Sequence, residues 1–154
     1  MVEKKSSAGF ESLTYVLLAG ILLLAAFLRF RGSDWAVNSM LHPDERFYSD
    51  VTYRLQPLAN WADYFNTATS TLNPEVQGFG FFVYGTLPIF ITKTTGALLN
   101  GGNALWMTDY IRYGRLLSAV FDLLTILLVF LMGRKLFDWR VGLLAAVFST
   151  FAVL

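Results

Sequence analysis

The chain has no cysteine, a single histidine at position 42 and only four prolines in its 154 residues. The first absence removes disulfides and thiolate chemistry, and the second removes any multi-histidine metal site within these residues. Charge is also scarce. Asp, Glu, Lys and Arg make up 15% of the chain with a net charge of +1, and the basic residues form no stripe or patch, which argues against a nucleic-acid partner. Residues 31–110 contain no repeat and no low-complexity tract. What the chain has in abundance is apolar surface. Its 55% hydrophobic and 16% aromatic content exceeds the roughly 45–50% of a soluble domain, so the expected class is an all-α, polytopic integral membrane protein.

Three apolar runs carry that expectation. Residues 13–30 reach the roughly 20 residues an α-helix needs to cross hydrocarbon. Lys4 and Lys5 precede this run like the charged start of a signal peptide, but no small-x-small cleavage site follows Ala26, and Arg29 and Arg31 come directly after. An uncleaved first span is therefore expected behind a tail at 1–12. A second span is expected at 113–133, flanked by Arg112 and Arg115 on one side and Arg134 and Lys135 on the other. After a short connection at 134–140, a third begins at 141 and is still apolar at Leu154. The active unit is accordingly expected to contain further helices, and residues 1–154 alone to be inactive.

The positive-inside rule puts Lys4, Lys5, Arg134, Lys135 and Arg140 in the cytoplasm, which makes 31–112 one large outer loop. Within it, Phe79 to Leu99 is apolar but interrupted by Gly80, Gly85 and Pro88, with Thr92 to Thr95 making its second half polar. An interfacial or re-entrant segment is expected there, against the rival of an ordinary short span. Pro43 to about Leu58 reads as a helix: proline suits the first position, Asp44 and Glu45 suit the positive dipole end, and Phe47, Val51 and Leu55 recur at helical spacing. Asn60 to Pro74, with Trp61, Tyr64 and Phe65 among polar residues, reads as an aromatic interfacial connection.

The acids in this loop are the first candidates for chemistry. Asp44 and Glu45 diverge by about 100° on a helix, so they cannot form one facing dyad and each needs its own role. The bland reading is that they complement the helix dipole. His42 suits a capping or loop role, although with Asp44 or Glu45 it could contribute to a metal site completed elsewhere. Asp122 lies inside the second span, where an unpaired charge is costly, with Arg115 two turns earlier on the same face. Contact between them, directly or through Ser118, is one reading. The other has Arg115 facing an anionic head group while Asp122 orients a neighbouring helix.

The order of basic tail, first span, "LHPDERFYSD" at Leu41 to Asp50, "FFVYGTLPIF" at Phe81 to Phe90 and "YGRLLSAVFDLL" at Tyr113 to Leu124 resembles the start of the GT-C membrane glycosyltransferases. Within that class it is most similar to bacterial relatives of the protein O-mannosyltransferases and the aminoarabinose lipid A transferases. The resemblance implies inverting transfer of a sugar from a polyprenyl-phosphate donor to a protein, lipid or glycan acceptor at the outer face. Asp44 would be the general base and Glu45 would orient the site, bind the acceptor or assist a divalent metal ion. Arg115, then Arg112, would face the lipid phosphate as it leaves, and His42 and Tyr84 complete the substrate-binding candidates. The family usually has a basic residue or histidine followed by two prolines where this chain has Tyr84-Gly85-Thr86-Leu87-Pro88, which leaves the sugar and acceptor unassigned. A transporter, depending chiefly on Asp122, and a non-enzymatic membrane assembly factor are the competing classes.

Overall fold

The computed structural model describes residues 3–101 and 103–152, with side chains from residue 11 onward. Among the described residues every regular element is helical: α1 (Glu3–Phe30), α2 (Pro43–Arg54), α3 (Thr86–Leu99), α4 (Met107–Leu136) and α5 (Trp139–Phe151), with short 3-10 turns at Val37–Ser39 and Trp61–Phe65. The chain divides into two compact units, one formed by residues 1–33 and 116–154 and the other by 34–115.

In the first unit, α1 packs on α5. Leu18, Ala25, Ile126, Phe130, Leu143 and Ala146 are its buried core. Glu11–Phe30, with mean hydropathy 2.2, and Met107–Leu136, with 2.4, are long and apolar enough to cross a membrane. Only 17% of each apolar window is buried within the protein, and its other residues are half-buried or exposed. α5 is apolar but shorter, at 13 residues. Val153 and Leu154, which the sequence reading assigns to a third span, lie outside the described residues, as do Met1 and Val2 of the expected tail. The rest of that tail, from Glu3, is helical and continuous with α1.

α4 and α5 are joined through Phe137 and Asp138 and approach closely at two glycines. A Cβ on Gly142 would stand 2.7 Å from the Phe130 carbonyl oxygen, and one on Gly133 would stand 2.9 Å from the Gly142 Cα. Small residues permit this backbone contact, as they do between helices in lipid. The turn is fixed by Asp138, whose carboxylate accepts the N–H groups of Arg140 and Val141 at 2.8 and 3.0 Å as the N-cap of α5.

The second unit is built on α2 and α3. Val51, Leu55 and Ile89 are fully buried among Phe47, Tyr48, Leu72, Phe79, Phe82 and Phe90. α2 begins at Pro43 as expected but stops at Arg54, short of Leu58. Pro57 explains the difference, since it lacks an N–H and biases Gln56 toward extended backbone. α3 starts at Thr86 and not near Phe79, because Gly85 holds a left-handed φ of 77° that no right-handed helix accommodates. At 14 residues, α3 is about 21 Å long, short of the roughly 30 Å hydrocarbon core. α4 begins at Met107, ahead of the expected 113, because Asp109 accepts the N–H of Trp106 at 2.9 Å and secures the first turn.

Candidate functional site

All six substrate and catalytic candidates, His42, Asp44, Glu45, Tyr84, Arg112 and Arg115, fall within the second unit. His42 and Pro43 set up the acids. His42 is the N-cap residue in extended backbone with no side-chain cap bond, and Pro43 opens α2 so that Asp44 and Glu45 occupy its first turn. Their divergence around the helix is realised as two separate partnerships.

Glu45 meets the end of Arg115 squarely. The Nε–H and an Nη2–H of Arg115 donate to Oε1 and Oε2 at 2.8 and 2.6 Å, and Nη1 donates to the Trp35 carbonyl at 2.7 Å. This two-pronged geometry is the strong form of a carboxylate–guanidinium pair. The Arg115 hydrogen bonds hold the Glu45 carboxyl below the ordinary glutamate value, against an opposing effect of partial burial, with the charges of Arg115 and His42 adding to the depression. Glu45 is thus a fixed anion that ties the first turn of α2 to the third turn of α4.

Asp44 is exposed and accepts one hydrogen bond, from the Tyr84 hydroxyl at 2.9 Å. The same contact pushes the Tyr84 hydroxyl up, because ionising it would place a second negative charge beside the carboxylate. Tyr84 is positioned by ring contacts with Phe47 and Phe82, at 6.2 and 6.0 Å between centroids. Gly85, immediately after it, turns the chain into α3.

Arg112 stands apart from both acids of the motif. Its guanidinium donates to Asp34 at 3.1 Å and to Asp109 at 3.4 Å. Asp122, read from sequence as a possible partner of Arg115, pairs instead with Arg29 in the other unit. Arg29 is almost fully buried, at 5% side-chain exposure, and also donates to the carbonyls of Ser149 and Thr150 at 3.0 and 3.1 Å in the last turn of α5. The seven-residue spacing of Arg115 and Asp122 describes one helix face, and neither residue uses it.

Sequence reasoning missed the polar layer beneath the motif. Tyr48 and Thr92 share a hydrogen bond at 2.8 Å, and the Lys93 ammonium donates to the Thr52 carbonyl at 2.9 Å with the Tyr110 ring 5.3 Å away. Burial pushes Lys93 down from the ordinary lysine value. The available signal was Thr92 and Lys93 within an apolar helix, a pattern that asks for buried partners.

Among the described residues no three Asp, Glu or His side chains converge. Glu45, with both oxygens on a guanidinium, would bring a cation against the positive charge of Arg115. The chain matches no family model, no curated protein and no solved structure.

Proposed function

We propose that this chain is the first part of a GT-C-type membrane glycosyltransferase, with its amino terminus in the cytoplasm and the 31–112 region outside. It would transfer a sugar from a polyprenyl-phosphate donor to a hydroxyl or amine of a protein, lipid or glycan, with inversion. The observation that carries this reading is the unequal state of the two neighbouring acids. Glu45 is fully engaged by Arg115, whereas Asp44 is exposed and shares one oxygen with a tyrosine.

An exposed carboxylate held by a single neutral donor suits proton abstraction. The acceptor's lone pair attacks the anomeric carbon, its proton passes to Asp44, and the bond from that carbon to the phosphate oxygen breaks. The electron pair leaves with the lipid phosphate, which is stable as an anion and needs no acid from the protein. Tyr84 fixes the orientation of Asp44. Glu45 and Arg115 are positioning residues: with its fork on Glu45 and Nη1 on the Trp35 carbonyl, Arg115 braces the acid that follows Asp44.

Asp122 argues less for a transporter than its location implies. Its charge is answered by Arg29, which also caps carbonyls of α5, the pattern of a fixed structural contact. The test is sugar transfer by the full-length protein in proteoliposomes. Asp44→Asn is expected to lose about 10²–10⁴-fold in rate, while Glu75→Gln, on an exposed acid away from the motif, keeps most of it. Equal losses for the two variants would overturn the assignment.

A further inference from the structure

With Arg115 and Arg112 engaged by carboxylates, a phosphate needs another cation. In residues 34–115 Arg54 is also paired, to Asp50 at 2.9 Å. Arg46 is exposed, and its guanidinium has no acceptor among the described residues. It lines a cleft of about 420 Å³ together with Met40, Leu41, Pro43, Phe47 and Asp50. Pro43, Arg46, Phe47 and Asp50 recur at i, i+3, i+4 and i+7, so one face of α2 forms this wall. Asp50 is the other charged group there, and Arg54 answers it, which leaves the wall with an unopposed positive charge beside apolar side chains.

Two aromatic side chains link the cleft to the proposed base. Phe47 lines it with its ring centroid 6.2 Å from that of Tyr84, and the Tyr84 hydroxyl holds Asp44. The volume lies at the small end of ligand pockets, enough for a phosphate and the first few carbons of its chain but not for a whole lipid. A cation beside Met40 and Leu41 matches an anion joined to hydrocarbon.

We infer that this cleft binds the head of an amphipathic lipid phosphate, with Arg46 taking the phosphate and Met40 and Leu41 covering the first apolar carbons. The planar guanidinium fits two phosphate oxygens at once. The inference rests on the lipid-phosphate donor of the reading above, but it concerns binding and not transfer.

The test is titration of the full-length protein, in nanodiscs of neutral phosphatidylcholine, with polyprenyl phosphate, inorganic phosphate and phosphatidylglycerol. Arg46→Gln is expected to weaken polyprenyl phosphate binding about tenfold or more, the scale of one lost charge-assisted fork. Arg46→Lys, which keeps the charge but loses the fork, should fall between the two, showing that the effect follows the cation and not folding. Inorganic phosphate should bind far more weakly, for want of the apolar wall, and phosphatidylglycerol, also an anionic phosphate joined to hydrocarbon, should compete in a manner that Arg46→Gln weakens. Unchanged binding by Arg46→Gln, inorganic phosphate binding as tightly as the lipid, or competition by phosphatidylglycerol that Arg46→Gln leaves unaltered would each overturn the inference. Arg46-dependent binding by a protein that transfers no sugar would uphold it and overturn the transferase reading instead.

Discussion

Glu45 and Arg115 couple the first turn of α2 to the third turn of α4 through a bidentate pair in which the side chains are 33% and 24% exposed, partly shielded from water and salt. Removing the carboxylate charge by Glu45→Gln is expected to cost about 1.5–3 kcal/mol of stability, the range for hydrogen bonds to charged groups. Because the folded-state value of Glu45 is depressed, its contribution is fully present above the ordinary value of 4.5. It is lost as the pH falls through the lower, folded value. Thermal unfolding followed from pH 7 into the acid range should show the native protein losing stability below about pH 4.5 more steeply than Glu45→Gln. Parallel curves for the two proteins would contradict the pair's role. The separation of Asp44 from Glu45 was legible from their adjacency on a helix, but the partners were not. Arg115 reaches Glu45 across 70 positions and Arg29 reaches Asp122 across 93, and intervals of that size carry no periodicity from which a contact can be read.

Among the elements, α2 and the α4–α5 hairpin show what local sequence determines. Proline at the first position and acids in the first turn located the start of α2, and Pro57 accounts for its end. The apolar runs located α1 and α4 but not their polar first turns, where capping by Asp109 and ordinary helix propensity extend them beyond the hydrophobic stretch. The glycine contact was invisible to hydropathy, because Gly133 and Gly142 matter for backbone proximity and not for polarity. Gly142→Ala should therefore destabilise the hairpin by about 1–3 kcal/mol, since its Cβ would press on the Phe130 carbonyl and the Arg134 nitrogen, both backbone atoms with little room to move. Gly20→Ala, where a Cβ meets nothing within 4 Å, is the matched comparison. Detergent-dependent unfolding of the two variants checks this, and equal stability would contradict it.

At the scale of the whole molecule, the chain separates a unit of long apolar helices from a unit holding the acids, tyrosine and arginines of the proposed site. Each has its own buried core. The cysteine-free sequence makes the proposed topology directly measurable. A single cysteine at exposed Glu75 should react with an impermeant thiol reagent applied outside intact cells, and one at exposed Phe137 only after the membrane is opened. The reverse pattern would invert the orientation derived from charge. The central claim concerns Asp44, and the most direct measurement is single-turnover sugar transfer by full-length wild-type and Asp44→Asn proteins preloaded with the polyprenyl-phosphate sugar. The account predicts that Asn at this position leaves donor binding intact and slows transfer by about 10²-fold or more. Transfer at the wild-type rate would mean that Asp44 takes no proton and that the proposed chemistry is wrong.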